Sequence, residues 1–281
     1  MLLLLCGNYK TGKTVSASTF PKPMLWEDWD CGFSSVENTL GKDEKLLIAD
    51  CKDITVIPFY RQKVYDLQFT TDIGTKSAPA HTLEAPVFIK RHNDIINQLS
   101  KDGCYNPTDL SFLSEEQQER VKNLDPTKRE PYRTLVIDSL TTMFRVWKEM
   151  ILRMNNISTL RIPDYGTLET ILLGQFIPSL KSLAMSGKVE NIILIDHIDM
   201  DKDELSGMIM EFPIGPSRNM GKVFGLQFDE IWKQSIEGSD YVWRTKRSGL
   251  FQAGSRLDLP EVIKPATYQQ LEQVLKGRVK L

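Results

Sequence analysis

The stretch GNYKTGKT, Gly7 to Thr14, comes directly after the apolar run LLLLC, and this junction constrains the fold more than any other feature of the chain. Its GxxxxGK[ST] spacing lets the backbone curl so that several amides converge on phosphate oxygens, and a helix opening at the loop adds the positive end of its dipole. Lys13 is placed to reach the β and γ phosphates of a nucleotide, and the Thr14 hydroxyl to coordinate Mg²⁺. Gly7, Asn8, Tyr9, Lys10, Thr11, Gly12, Lys13, Thr14 and Val15 therefore form the expected ATP-binding segment. Such a loop requires a buried strand before it and a helix after it. Leu2 to Cys6 and TVSAS satisfy both, so the chain reads as an α/β protein with a mostly parallel sheet.

Further apolar runs predict the rest of that sheet. Strands are expected at Met24 to Asp28, Ile54 to Tyr60, Thr134 to Asp138 and Asn191 to Asp196. Helices are predicted over 87–99, 142–154, 165–185 (bent near Pro178) and 268–279. FDEIWKQ and SDYVWRTKRSG read as two late strands joined by a tight turn at EGSD. Met200 to Lys222 reads as a long loop bearing glycine and proline. Residues 61–86 carry little periodicity, and 101–131 read as a polar insertion on the rim. The economical division is one domain over residues 1–260, with 261–281 as a C-terminal helical appendage.

Composition narrows the function classes. A formal net charge of -2 gives no whole-protein attraction to nucleic acid or anionic membrane, although a local basic surface stays possible. Four cysteines form no CxxC pair and only three histidines are present, which argues against structural zinc. The leading MLLLLC is too short to span a bilayer or to act as a signal peptide. Reduced thiols and a cytoplasmic location, without membrane, are expected.

Three further strand ends carry chemistry. A phosphate loop needs a carboxylate on an adjacent strand to hold the metal's water shell, and TLVID supplies Asp138. Candidates for activating water lie in LWEDWDCG. Strand alternation puts Glu27 and Trp29 on one side and Asp28 and Asp30 on the other, with Asp30 first choice as base, then Glu27 or Asp28. IILIDHID places Asp196 and His197 near the γ phosphate, where His197 can sense its presence.

Read in order, GNYKTGKT, LWEDWDCG, TLVIDSLTT and IILIDHID resemble the RecA-like core of P-loop ATPases. In particular they are similar to small phage-encoded RecA/RadA-like ATPases linked to single-strand annealing and homologous recombination. The resemblance covers Leu2 to about Gly249. It implies Asp30 at the place of the catalytic glutamate, Asp138 and Ser139 at the Walker B strand end, and His197 as the polar sensor. It also implies DNA-binding loops at Asn156 to Tyr165 and Met200 to Lys222, where Arg153, Arg161, Arg218 and Lys222 would meet phosphates. Phe212 and Phe224 would stack on bases. In WRTKR it implies that Arg244 and Lys246, on one strand face, cross to the nucleotide of a neighbouring subunit. That would make the active form a homo-oligomer. With the core strand starting at Leu2, annealing or assistance to another recombination protein fits better than strand exchange in a filament.

The expected activity is a DNA-dependent ATPase using ATP and Mg²⁺ on single-stranded DNA. A single-stranded-DNA-binding protein or other recombination factor is a possible partner. Two alternatives stay open. One is a nucleotide-gated adaptor or structural component of a phage replication or packaging assembly; the other is a small-molecule P-loop phosphotransferase.

Overall fold

A computed structural model describes residues 1–39, 54–59, 81–106, 130–202, 209–247 and 249–278, with single positions 115, 119 and 207. Most of the stretches read as featureless or as a rim insertion, 61–80 and 107–129, lie outside the described residues apart from Glu115 and Glu119.

The chain runs β1 (Leu2–Gly7), α1 (Lys13–Ala17), β2 (Met24–Asp28), α2 (Ser34–Thr39), β3 (Ile54–Pro58), α3 (His81–Asp102), β4 (Thr134–Asp138) and α4 (Leu140–Met154). It continues with α5 (Ile162–Glu169), a π-helical turn (Thr170–Phe176), α6 (Ile177–Ser186), β5 (Asn191–Asp196), β6 (Ile198–Lys202), β7 (Ile209–Pro213) and α7 (Arg218–Phe224). A 3₁₀ turn at Gly225–Gln227 leads to β8 (Glu230–Glu237), β9 (Asp240–Arg244), β10 (Gly254–Ser255), β11 (Val262–Ile263) and α8 (Tyr268–Arg278).

The main sheet has the order β11-β9-β8-β1-β5-β4-β2-β3, with β10 pairing β8. From β8 to β3 every pairing is parallel, and β9, β10 and β11 add antiparallel. This is the expected α/β core, a largely parallel sheet flanked by helices, with later antiparallel strands, consistent with a RecA-like P-loop fold. Every residue of β1, β2, β4 and β5 is buried. Leu2, Leu4 and Cys6 face one apolar cluster with α3, α4 and α6, while Leu3 and Leu5 face the other with α1. Strands covered on both faces read as unbroken apolar runs, which is why their bounds were legible.

Two expectations need correction. Met200 to Lys222 is not a loop: β6 and β7 form a hairpin with Ile198 opposite Pro213, and α7 follows, its Ser217 hydroxyl accepting from the Met220 amide at 3.3 Å. Charged side chains alternating along a half-exposed ribbon hid the hairpin from an apolar-pattern reading. β9 runs to Arg244, and beyond it the Thr245 amide donates to the Glu261 carbonyl at 3.0 Å, in register with the Arg244–Val262 pair of the β9–β11 ladder. Phe212 and Phe224 are buried, Phe224 among Phe144 and Phe228, which closes them to base stacking.

The helix predicted over 165–185 starts earlier, at Ile162, and its interruption is the π-helical turn. Pro178 has no N–H to give the carbonyl one turn back, and widening the helix there accommodates the loss. The segment after residue 260 adds β11 to the main sheet, and Leu271 of α8 packs with Trp243 and Phe20 in the α1-side cluster.

Candidate nucleotide site

β1 delivers the chain to the centre of the sheet, and the loop turns there on two left-handed residues, Lys10 (φ 59°) and Gly12 (φ 81°). Gly7 is required by space: a Cβ would stand 2.7 Å from the Gln234 carbonyl and 2.8 Å from Thr11 Oγ1. The Lys13 ammonium donates to the carbonyls of Gly7 (2.9 Å) and Asn8 (2.8 Å), so it lies inside the loop it would share with phosphate. Burial lowers its pKa, against the pull of Asp138, Asp196 and Asp30. Ser16 on α1 donates to the Gln234 side chain of β8 at 2.8 Å, tying the helix to the neighbouring strand.

Parallel register brings the acids together. Asp28 and Asp138 are paired across β2 and β4, and Asp138 is opposite Ile195 of β5. The Thr14 hydroxyl donates to Asp138 at 2.9 Å, and the Ser139 hydroxyl donates to Asp30 at 2.9 Å. The Gly32 amide donates to Asp28 (3.0 Å) and Asp30 (3.1 Å), ordering the turn after β2. Burial, and then Asp30, push the Asp138 carboxyl up to about 8; the same two causes bring Asp28 to about 6.

A magnesium ion fits this arrangement. Gly32 leaves a gap in which an added Cβ would meet Asp30 Oδ1 at 2.9 Å, Asp138 Oδ2 at 3.3 Å and Thr14 Oγ1 at 3.7 Å. Carboxyls held this close repel when ionised, and a divalent cation offsets that repulsion. Among the described residues no cluster of three or more His, Cys, Asp or Glu forms an all-protein metal cage. Mg²⁺ takes one or two protein oxygens and completes its shell with phosphate and water. When bound, it neutralises charge on the β and γ phosphate oxygens. Thr14 and Asp138 would hold it, with Asp30 beside them.

β5 adds a buried layer behind Lys13. Asp196 accepts from the Thr141 hydroxyl at 2.6 Å and from the His197 amide at 2.9 Å, and burial pushes its carboxyl up to about 8. His197 packs against Tyr9 with ring centroids 4.4 Å apart and the planes tilted by 33°, and its Nδ1 lies 3.1 Å from the Thr141 hydroxyl. Burial and the Lys13 charge lower its pKa to about 4, so the imidazole is neutral near pH 7. Thr141 was missed in the sequence because only the meeting of α4 and β5 places it here.

The resulting cleft, about 420 Å³, is lined by Lys10 to Val15, Asp30, Asp138, His197 and, unforeseen, Tyr241. Residues 1–257 match the family described as AAA domain. The chain belongs to the AAA-domain family. No curated protein matches this AAA domain significantly. Among solved structures it is weakly similar to the crystal structure of the RadB recombinase. That match has 14% identity and a TM-score of 0.37, and it covers 89% of this chain and 84% of that one. Membership supports a P-loop domain with the capacity to bind nucleotide.

The remaining candidates fall elsewhere in the AAA domain. Glu27 points away from the cleft: both its oxygens lie within 3.0 Å of His92 Nδ1 on α3, and it accepts from Trp29 Nε1 at 3.2 Å. Glu27 and Trp29 do share one side of the segment, and Asp28 and Asp30 the other. Arg244 pairs with Glu237, and Lys246 lies 3.7 Å from Asp258; neither lines the cleft of its own chain. Arg218 (3.4 Å) and Lys222 (2.6 Å) both pair with Asp201 on the hairpin. Arg161 caps α5 through Asp164 at 3.1 Å, and Arg153 lies in the last turn of α4. Among the described residues no helix is long and apolar enough to cross a membrane.

Proposed function

We propose that this AAA domain is a Mg²⁺-dependent ATPase that acts on single-stranded DNA and promotes annealing or homologous recombination as a homo-oligomer. The observation that carries the ATPase reading is the chain of oxygens Thr14–Asp138 and Ser139–Asp30 facing the phosphate loop across one cleft. Asp30 is the base: its carboxylate is aimed by the Ser139 hydroxyl and takes a proton from a water attacking the γ phosphorus. The bond from that phosphorus to the bridging oxygen breaks, and ADP and phosphate leave. Lys13 and the loop amides hold the phosphates, and His197 reads the terminal one.

The DNA part of the proposal is supported by continuity. His197 is followed at once by Ile198, the first residue of β6, so a shift at the terminal phosphate is passed to the hairpin and α7. Arg218 and Lys222 on α7 are the phosphate-contacting candidates there, with Arg153 and Arg161 at the α4–α5 turn. Arg244 and Lys246, outside their own cleft, are assigned to a neighbour's nucleotide. Weak overall charge makes binding salt-sensitive and leaves room for help from a single-stranded-DNA-binding protein.

The test is ATP turnover measured with and without single-stranded DNA while oligomer size is monitored. Stimulated turnover, lost in Lys13→Ala and Asp30→Ala, is the expected result. Binding without turnover points instead to a nucleotide-gated adaptor, and phosphoryl transfer to a small acceptor to a phosphotransferase. Mixing Arg244→Ala with Asp30→Ala should restore part of the activity; no recovery removes Arg244 from the trans role.

A further inference from the structure

The sheet order separates the cleft into two sides. β5, β4 and β2 lie on one side of β1 and carry His197, Asp138 and Asp30; β8 and β9 lie on the other. A nucleotide with its terminal phosphate at the acids and its other phosphates over the loop amides must extend its nucleoside away from β4 and β2. That path passes the start of α1 and meets β9.

Tyr241 stands there. It is the second residue of β9, opposite Ile236 of β8, and its ring is held on the α1 side of the sheet against the cluster containing Trp243. Its backbone carbonyl accepts from the Ala266 amide at 2.9 Å, so strand pairing and the C-terminal segment both fix it. The ring presses on the phosphate loop: its Cε1 and Cζ atoms lie 2.6 Å from where a Cβ on Gly12 would stand. Apart from the His197 imidazole on the phosphate side, Tyr241 is the sole aromatic ring lining the cleft among the described residues.

We infer that Tyr241 is the platform on which the base of the bound nucleotide stacks, making it a specificity-determining residue for nucleoside triphosphates over bare polyphosphate. The inference rests on the nucleotide-binding reading above. A flat ring with two rotatable bonds, one face already packed over Gly12, offers its other face at small entropic cost. Base–aromatic stacking tolerates any base, because each has a π-face.

The experiment titrates Mg²⁺·ATP and Mg²⁺·tripolyphosphate calorimetrically into the wild type and into Tyr241→Leu and Tyr241→Phe. Leucine keeps apolar bulk against Gly12 but removes the π-face; phenylalanine keeps the face. Tyr241→Leu should weaken ATP roughly 5- to 150-fold, the range a base–aromatic stack supplies, with tripolyphosphate affinity unchanged and Tyr241→Phe close to wild type. Equal weakening of both ligands would show that the ring only braces Gly12 and would overturn the inference, as would an unchanged ATP affinity in Tyr241→Leu. A wild type that binds neither ligand sinks the nucleotide reading itself and the inference with it. Wild-type binding of tripolyphosphate as tightly as ATP sinks the inference alone.

Discussion

Replacing Asp138 by asparagine should stabilise the protein in metal-free buffer and at the same time abolish its response to Mg²⁺·ATP. Asp138 is 3% exposed and accepts from the Thr14 hydroxyl, a bond that the asparagine carbonyl oxygen can keep. What the substitution removes is the charge. Burial and Asp30 push the carboxyl from an ordinary 3.8 up to about 8, so at pH 7 the native state must either hold a proton or bear an ion in poor surroundings. The penalty on folding is at most about 4 kcal/mol at that pH, and relaxation around the site reduces it, so about 1–4 kcal/mol should be recovered. Urea unfolding in chelator at pH 7 should show the asparagine variant with the higher midpoint. Adding Mg²⁺·ATP at about 100 times its Kd should raise wild-type stability by about 2.7 kcal/mol, and the variant's by far less. A variant less stable than wild type without metal would refute the account of a charge-strained acidic pair. A variant stabilised by Mg²⁺·ATP as strongly as wild type would refute the assignment of Asp138 to the metal.

Gly32→Ala should weaken Mg²⁺ affinity roughly 10- to 100-fold, since its methyl crowds Asp30, Asp138 and Thr14; unchanged Mg²⁺ dependence of nucleotide binding would move the metal elsewhere. His92→Ala leaves the fully buried Glu27 carboxylate without its main partner and should cost about 3–5 kcal/mol in urea unfolding. Adding Glu27→Gln should recover part of that loss, and a cost below about 1 kcal/mol in the single variant would count against His92 as the partner that satisfies the buried Glu27. Asp138 and Asp196, raised to about 8, and Asp28, raised to about 6, keep protons in the native state that the unfolded chain releases near pH 4. Over that window the native state binds more protons, so metal-free stability should fall as pH rises to roughly 8 and then level off. The stabilisation added by Mg²⁺·ATP should grow over the same range. Thermal melts across it, with and without Mg²⁺·ATP, would contradict this reasoning if stability rose with pH.

The sequence by itself determined the centre of the molecule. β1, β2, β4 and β5 lie where the apolar runs predict, with the acids at the carboxyl ends of β2, β4 and β5 and β1 running on into Gly7, because a parallel strand buried on both faces keeps its polar residues to its ends. Those ends are where Thr14, Asp30, Asp138 and His197 stand, so the phosphate loop and its acids were legible one motif at a time. Alternation also separated Glu27 and Trp29 from Asp28 and Asp30, although it could not say which pair faced the cleft.

Tertiary structure decided that and more. Glu27 meets His92 across 65 residues of chain and turns away from the nucleotide, while Ser16 meets Gln234 across 218. β6 exposes three of its five residues and pairs with β7 in a separate two-stranded sheet, so its apolar pattern was too thin to read. Tyr241 reaches the loop only because β8 pairs parallel with β1 and β9 folds back beside β8. A local pattern records what a segment buries; which distant side chain it is buried against is settled only when the strands take their order in the sheet.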